Sequence, residues 1–442
     1  MEKKESVLHR YFEFDKHQTN LRTEIIAGIT TYFTLAYILL VNPSILKEAG
    51  MDLGAVFVAT VLSAVIGTLL MALFANYPIA LAPGMGLNAY FAYTVVGTMG
   101  IDWRVALGAV FISGIIFLIL TLTKLREMLI NVIPKDLKHA VSAGIGLFIA
   151  FIGLKNAKIL VPSEATILGI NPKFTSDPMI LLTLFGLIVT VILMVRKIKG
   201  AIFIGILVTA VVGMIFGLIP VPKQIFATPP SIAPTFMQMD IAGALELGAF
   251  VVIFSFLFVD LFDGMGTLVG VTTQAGLMKD NKLPRANRAL FADSIATMTG
   301  ATLGTSTVTS YIESSAGVAA GGRTGVTAIV TAIFLGLSLF FFPLVETFAG
   351  VAALTSPALI IVGVLMANSL REIEWKRLSD GVPAFITIIM MPLTSSIATG
   401  ISMGFILYPI CKIADGEWKK VHPIMYALGI IFILRYIFLD PV

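Results

Sequence analysis

The chain has 442 residues, of which 57% are hydrophobic and 13% are charged, and its formal net charge is +4. Soluble domains average about 45–50% apolar and about 25% charged residues, so one core could not bury this much apolar surface. The composition excludes a soluble enzyme, a disordered chain and an ordinary nucleic-acid-binding protein, and it predicts an all-α polytopic membrane protein. A single cysteine and four scattered histidines predict no disulfide, no metal site and no cofactor.

The polar first 23 residues contain no apolar stretch, and they predict an N-terminal arm rather than a cleavable signal peptide. Beyond the arm, apolar stretches of about 20 residues recur, which is the length that crosses a bilayer. The predicted spans 1 to 14 are 24–44, 55–75, 79–98, 104–123, 138–155, 178–196, 201–219, 246–271, 286–303, 308–321, 324–346, 355–370, 382–394 and 396–413. The stretch 382–413 contains Pro392, and it could form either one kinked span or two short ones. A further apolar stretch, 423–439, is open between another crossing and a helix on the membrane surface.

Lysine and arginine residues predict the orientation. When the N-terminus is placed in the cytoplasm and the spans alternate, roughly three quarters of the 30 basic residues fall on the cytoplasmic side. Cytoplasmic loops of membrane proteins carry such an excess. The sequence therefore predicts a multi-pass protein of the cell inner (plasma) membrane with a cytoplasmic N-terminus.

Two spans are interrupted. Span 3 contains Pro83, Gly84 and Gly86 within four residues, which would break a helix in mid-membrane. Span 10 is short, rich in hydroxyl side chains, and carries Glu313. If fourteen spans divide into two sets of seven, spans 3 and 10 are equivalent, and paired broken spans are typical of inverted-repeat transporters. Their freed backbone groups would bind a polar solute; the alternative is a pair of kinks that only permit packing.

Three carboxylates lie within predicted spans. Asp260 and Asp263 in span 8 are three residues apart and share a helix face, and Glu313 lies in span 10. An ionised side chain at the bilayer centre costs roughly 2.5–3.5 kcal/mol, so these acids are expected to face a cavity and each other. In such a site a carboxylate can carry a proton and can accept hydrogen bonds from a neutral solute. The alternative is that an aspartate caps a helix break at Gly264.

Two further polar residues lie in spans. Asn88 follows the break in span 3, and its amide can both donate and accept; the alternative is a helix-capping asparagine. Asp293 in span 9 is open between a core network and surface pairing with Arg285 and Arg288.

Long segments of the chain resemble the AzgA-like purine permeases, a branch of the nucleobase–ascorbate transporter superfamily. The segments are PIALAPGMGLNAYFAY (78–93), FVDLFDGMGTLVG (258–270) and GTSTVTSYIESSAGVAAGGRTG (304–325). The likeness covers nearly the whole chain and is greatest to the bacterial hypoxanthine/guanine permeases. It implies import of purine bases together with protons, with hypoxanthine or guanine as the expected substrate and adenine or xanthine as alternatives that the sequence cannot rank, and a homodimer.

The resemblance also implies two inverted seven-span repeats arranged in two domains. The core domain would hold spans 1–4 (24–123) and 8–11 (246–346), and the gate domain spans 5–7 (138–219) and 12–14 (355–413). Carried over by motif, the substrate-binding positions are Asn88, Asp260, Asp263, Glu313, Gly84, Gly86, Ser310 and Tyr311. The three acids among them would also couple the proton. Relatives often carry a hydroxyl residue at the position of Gly264, and the lost hydrogen bond bears on purine preference.

Two other functions compete with this interpretation. An anion carrier of the same fold, for sulfate or bicarbonate, would be repelled by three acids, and the basic residue nearest span 10 is Arg323 at its end. An intramembrane aspartyl protease brings its two acids from two helices, whereas Asp260 and Asp263 lie on one. The sequence therefore predicts a transporter and not an enzyme.

Overall fold

The computed structural model describes residues 7–123, 132–163, 167–246, 250–278 and 283–438. The chain is mainly helical, and it also contains two small two-stranded sheets. Nine helical segments of these ranges are long and apolar enough to cross a membrane, and three further apolar helices are shorter. The prediction of an all-α polytopic membrane protein is confirmed.

The other predicted spans are confirmed as helical, and the structure divides spans 1 and 11 into two consecutive helices each. Span 1 comprises helices Leu21–Leu35 and Ile38–Glu48, and span 2 comprises helix Leu53–Leu70 and the π-helix Met71–Ala75. Span 4 is Trp103–Leu122, and span 5 is Lys135–Asn156. Spans 6 to 9 are Pro178–Val195, Ala201–Ile215, Phe250–Gln274 and Ala286–Leu303. Span 11 comprises helices Gly325–Leu337 and Phe342–Phe348. Spans 12, 13 and 14 are Ala352–Met366, Leu378–Thr394 and Ile397–Ala414. Further helices are Val7–Tyr11, Ile241–Ala244 and Pro423–Phe438.

Polar caps fix where several of these helices begin. The Asp52 carboxylate accepts a hydrogen bond from the Ala55 amide at 2.8 Å, and Asp177 caps span 6 in the same way. A cap of this kind satisfies one of the backbone N–H groups that a helix start leaves without a partner. The ends of the apolar stretches are therefore set by local sequence as well as by hydropathy.

Spans 3 and 10 are broken as predicted. In span 3, strand β1 (Leu81–Pro83) leads into helix Met85–Ala89, which continues as the π-helix Tyr90–Thr98. Strands β2 (Leu160–Ser163) and β3 (Ile167–Ile170) form a separate hairpin between spans 5 and 6. In span 10, strand β4 (Val308–Ser310) leads into helix Ser314–Ala319. Strands β1 and β4 pair antiparallel, so the half-helices that follow leave this ribbon at opposite ends.

The stretch 382–413 forms two helices. Ser395 ends span 13 in the left-handed conformation, with a φ of 52°, and span 14 turns back along span 13. A Cβ atom on Gly400 would lie 2.4 Å from Cγ of Met391, and one on Gly404 would lie 2.0 Å from Oγ1 of Thr387. The residue number rises from Gly400 to Gly404 in span 14 while that of the contacted residue falls from Met391 to Thr387 in span 13. The two helices therefore form a tight antiparallel hairpin.

The C-terminal helix Pro423–Phe438 runs antiparallel to span 14. The hydroxyl groups of Ser402 and Tyr436 lie 2.7 Å apart, and the Phe405 and Phe432 rings pack with their centroids at 5.9 Å. The helix therefore extends the packed bundle beyond span 14.

The remaining spans pack in two groups, and small residues allow close approach in both. In the first group, Gly28 of span 1 meets Val330 of span 11, and Gly67 of span 2 meets Ala296 of span 9. In the second, spans 5, 6, 7, 12, 13 and 14 pack on one another. Span 8 contacts both groups, because it packs on span 4 and its Phe258 ring meets Phe405 of span 14.

Candidate functional site

The β1–β4 ribbon is closed at both ends by its own hydrogen bonds. The Gly84 amide donates to the Thr307 carbonyl at 2.9 Å, and the Tyr311 amide donates to the Ala80 carbonyl at 2.9 Å. The Tyr311 hydroxyl donates to the Pro83 carbonyl. Gly84 and Tyr311, predicted as substrate contacts, thus use these polar groups to hold the two broken spans together.

Threonines on equivalent spans satisfy the outer edges of the ribbon. Thr68 of span 2 accepts a hydrogen bond from the Leu81 amide at 2.9 Å, and Thr297 of span 9 donates to the Val308 carbonyl at 2.9 Å. Buried backbone groups need such partners where a span is unwound. Spans 2 and 9 occupy the same place in the two halves, as an inverted repeat requires.

Glu313 follows β4 directly and is held by a residue that the sequence analysis missed. The Tyr37 hydroxyl donates to Oε1 of Glu313 at 2.6 Å. Tyr37 is buried and lies where span 1 is interrupted, between helices Leu21–Leu35 and Ile38–Glu48. Nothing in the spacing of the sequence links the two residues, which are 276 positions apart. The interruption of span 1 thus places a hydroxyl donor on the predicted site acid.

Asn88 is the buried amide of the site. Its side chain is 0% exposed, and neither its amide nitrogen nor its amide oxygen has a hydrogen-bond partner among the described residues. It lies inside helix Met85–Ala89, whose N-cap is Gly84, so the helix-capping alternative is wrong. Burying a polar group without a partner costs free energy, and the Asn88 amide is therefore available to a ligand.

Span 8 brings Asp260 into the interior. Asp260 is 1% exposed, and the side chain of Asp263 lies outside the described residues. Helix Phe250–Gln274 continues through Gly264, so the alternative in which an aspartate caps a break there is wrong. The half-helices of spans 3 and 10 both pack on span 8. The three elements that carry the predicted acids and Asn88 therefore meet.

Asp293 also belongs to this interior. It is buried, and a Cβ atom on Gly264 would lie 3.3 Å from its Oδ2 and 3.2 Å from Oγ1 of Thr309. The surface-pairing alternative for Asp293 is therefore wrong. A larger residue at Gly264 would press on span 9 and β4, which explains how span 8 approaches them so closely.

Hydroxyl groups add to the polar set. The Thr309 and Ser310 side chains are buried, and their hydroxyl oxygens have no hydrogen-bond partner among the described residues.

Gly86 brings the half-helix of span 3 against span 5, because a Cβ atom there would lie 2.7 Å from Cγ2 of Ile145. The polar interior therefore lies where the first group of spans meets the second.

The charge of the site is acidic. Residues 78–98, 250–274 and 305–322 contain no lysine or arginine. Together these segments offer amide, hydroxyl and carboxyl groups, which suit a neutral solute that donates and accepts hydrogen bonds. An anion would find no basic side chain in these three segments.

Comparison with known families identifies relatives along the whole chain. The family model described as "Permease family" (Xan_ur_permease) matches residues 22–403. The putative permease MJ0326 of Methanocaldococcus jannaschii is 55% identical, over 98% of this chain and 99% of that protein. The guanine/hypoxanthine permease PbuG of Bacillus subtilis is 54% identical, over 97% of this chain and 99% of that protein. The adenine permease AdeP of Escherichia coli is 46% identical, over 99% of this chain and 97% of that protein.

Solved structures with the same fold are more distant in sequence. The transmembrane domain of the cyanobacterial bicarbonate transporter BicA superposes with a TM-score of 0.63 at 16% identity, over 86% of this chain and 97% of that domain. SLC26A9 superposes with a TM-score of 0.64 at 11% identity, over 93% of this chain and 67% of that protein. The chain thus shares its fold with these two solved membrane proteins.

Proposed function

The chain belongs to the permease family that matches residues 22–403, and from that premise we propose that it imports purine nucleobases by proton symport. It is a transporter and not an enzyme. Hypoxanthine and guanine are the proposed substrates, with adenine and xanthine as the next candidates. The names of PbuG and AdeP, a guanine/hypoxanthine permease and an adenine permease, support the purine class.

The proposal rests on the Asn88 amide, which has no hydrogen-bond partner among the described residues. A purine base presents ring nitrogens, N–H groups and carbonyl or amino groups along one planar edge. Asn88 can donate to and accept from that edge in the same plane, which removes the cost of its burial. Glu313 accepts from a ring N–H, and Ser310 and the backbone near Gly86 complete the contacts.

The proton is carried by the acids of the site, Glu313 with Asp260 or Asp263. An ionised carboxylate within the bilayer is costly, and a bound proton removes that cost. The Tyr37 hydroxyl stabilises the charged form of Glu313 between cycles. Uptake of the base and of the proton then depends on the same carboxylates, which couples the two.

Transport follows from movement of one group of spans against the other. In the proposal, spans 1–4 and 8–11 form the core domain that carries the substrate, and spans 5–7 and 12–14 form the gate domain. The N-terminal arm faces the cytoplasm, the protein resides in the plasma membrane, and two copies associate as a homodimer. The contact of Gly86 with Ile145 lies on the surface along which the domains move.

The second candidate is an anion carrier for bicarbonate or sulfate. The shared fold favours it, since BicA is a bicarbonate transporter. The absence of lysine and arginine from residues 78–98, 250–274 and 305–322 opposes it.

Uptake of radiolabelled hypoxanthine into cells without their own purine uptake tests the proposal. Unlabelled guanine, adenine, xanthine, uracil and bicarbonate compete, with and without a protonophore. We expect purines to block uptake and the protonophore to collapse it. Asn88→Ala should lower uptake about tenfold or more, since it removes hydrogen bonds worth about 1–3 kcal/mol.

The matched control is Asn368→Ala, which removes an amide outside the site. It should transport as the wild type does. Bicarbonate accumulation without purine uptake would overturn the purine assignment. Wild-type hypoxanthine uptake by Asn88→Ala would overturn the site assignment.

A further inference from the structure

A cavity lies at the end of the molecule that carries the N-terminal arm. Its volume is about 540 Å³. The arm, the end of span 2 and the start of span 9 form its walls. The lining residues that matter here are Tyr11, Lys16, His17, Phe74, Arg285 and Arg288. None of them belongs to the transport site.

The arm that forms one wall is fixed to the bundle. Phe12 and Phe14 are buried and pack against Val326 of span 11. The Asn76 side-chain amide donates to the Phe12 carbonyl at 3.2 Å, and the Tyr11 hydroxyl donates to the Leu73 carbonyl at 2.9 Å. The cavity is therefore bounded by packed, hydrogen-bonded structure.

The charge of the cavity is positive. Lys16 is paired with Glu13 at 2.6 Å, whereas neither Arg285 nor Arg288 lies within ion-pair distance of a carboxylate of the described chain. Burial lowers the pKa of His17, and the nearby Arg285 lowers it further. Glu13 also lines the cavity and interacts electrostatically with Arg285, but the described lining carries three basic side chains, Lys16, Arg285 and Arg288, against this one carboxylate. Arginine binds phosphate oxygens through paired N–H groups, so this arrangement suits a phosphate.

Aromatic rings stand beside the arginines. The Tyr11 and Phe74 side chains line the cavity and are 56% and 47% exposed. An exposed ring on a cavity wall offers a stacking face for a planar ligand. Cavities of about 300–1,000 Å³ hold ligands of drug size, and a nucleoside monophosphate falls in this class.

We propose that this cavity binds an organic phosphate of nucleoside-monophosphate size, with Arg285 and Arg288 on the phosphate and Tyr11 and Phe74 beside the planar ring. The proposed orientation places the cavity in the cytoplasm. The headgroup of an anionic phospholipid shares the phosphate chemistry, and the experiment separates the two sources. The site shares no residue with the proposed purine-binding site. The phosphate proposal can therefore be confirmed or refuted independently of the identity of the transported solute.

Isothermal titration calorimetry on the purified full-length protein in detergent tests the proposal. The probes are guanosine monophosphate, guanosine and inorganic phosphate. We expect saturable binding of the monophosphate, weaker binding of inorganic phosphate, and no binding of guanosine at this cavity. Arg288→Gln should weaken monophosphate binding about tenfold or more, since a charge-assisted hydrogen bond contributes about 1.5–3 kcal/mol. Arg285→Gln combined with Arg288→Gln should abolish it.

Arg288→Gln leaves intact the position of the Arg285 guanidinium above the Tyr77 ring, with its carbon 5.1 Å from the ring centroid, so a folding defect is not expected. The matched control is Arg196→Gln, which removes one exposed arginine from the loop between spans 6 and 7. It should bind the monophosphate as the wild type does. Saturable monophosphate binding that is equal in the wild type and the double variant would overturn the proposal.

The lipid source is tested in nanodiscs of phosphatidylcholine with and without phosphatidylglycerol. If the headgroup is the natural phosphate, phosphatidylglycerol will compete with the monophosphate in the wild type, and its stabilising effect on thermal unfolding will be lost in the double variant. That outcome supports the phosphate site and assigns the lipid as its source. Failure of both the monophosphate and phosphatidylglycerol to distinguish the wild type from the double variant would overturn the proposal.

Discussion

Buried polar residues in this protein fall into two kinds, and their hydrogen bonds separate them. The Glu24 carboxylate is buried but accepts hydrogen bonds from the Arg323 amide at 3.0 Å and from both the hydroxyl and the amide of Thr327, at 2.6 and 3.2 Å. It caps the start of span 11 and joins that span to span 1, which gives it a structural role. Asn88 is equally buried and has no such partners. The proposed binding site is built on a residue of the second kind.

Tyr37 is predicted to tune Glu313. Tyr37→Phe removes the 2.6 Å hydrogen bond and keeps the ring, so Glu313 loses a donor worth about 1.5–3 kcal/mol. We expect purine uptake to fall about tenfold or more and its pH profile to be displaced from that of the wild type. Radiolabelled uptake across a pH series measures both.

Tyr32→Phe is the matched control, because it removes the hydrogen bond between the Tyr32 and Ser338 hydroxyl groups at 2.8 Å and leaves Glu313 untouched. Its uptake and pH profile should match those of the wild type. Identical behaviour of the two variants would refute the role of Tyr37.

At the scale of elements, an ion-pair network closes the hairpin of spans 13 and 14. Lys412 of span 14 is buried and lies 2.7 Å from the Asp380 carboxylate of span 13 and 3.4 Å from Glu417. Arg377 also pairs with Asp380, at 3.6 Å, and with Glu417. Each buried charge has an opposite partner, so the two helices are held at the ends away from their connecting turn.

Removal of Lys412 is expected to destabilise this hairpin. Lys412→Met leaves Asp380 with only the more distant Arg377, and breaking a buried pair costs about 3–5 kcal/mol. We expect a lower Tm in detergent, measured by thermal unfolding, with the loss reduced by the second substitution Asp380→Leu.

Lys420→Met serves as the comparison, because Lys420 pairs with Glu417 at 2.6 Å but is exposed. An exposed pair contributes about 0–1 kcal/mol, so its Tm should stay near that of the wild type. Equal losses from Lys412→Met and Lys420→Met would argue against a buried network.

At the scale of the whole molecule, two groups of packed spans meet at the broken spans. Span 3 reaches span 5 through Gly86, and span 8 reaches span 14 through Phe258 and Phe405. If the proposed domains move against each other, bulk added at Gly86 will obstruct that movement.

Gly86→Val is therefore expected to abolish most purine uptake, since even a Cβ atom there would lie 2.7 Å from Ile145. Ile145→Ala in the same chain should restore part of it by making room. Uptake at equal membrane abundance measures the effect. Gly336→Val is the control, because the nearest atom to a Cβ there, on Val65, lies 3.9 Å away. Full uptake by Gly86→Val would contradict the proposed movement.

The sequence alone determined the membrane class, the positions of the spans and the breaks in spans 3 and 10. These features depend on local properties, namely hydropathy and the conformations of Pro83, Gly84 and Gly86. It also singled out Asn88, Asp260, Asp263 and Glu313, because polar groups in apolar spans are costly wherever they lie. Their roles in binding and proton coupling, and the core and gate boundaries, stay predictions.

Only the tertiary structure decided which groups meet. The bond of Tyr37 to Glu313, the equivalent threonines Thr68 and Thr297, and the burial of Asp293 beside Gly264 all join distant parts of the chain. The physical reason is that hydropathy acts within each span, whereas hydrogen bonds and close helix approach depend on how the spans pack. The cavity beside the N-terminal arm exists for the same reason, since Tyr11 meets Phe74 and the two arginines only when the arm packs on the bundle.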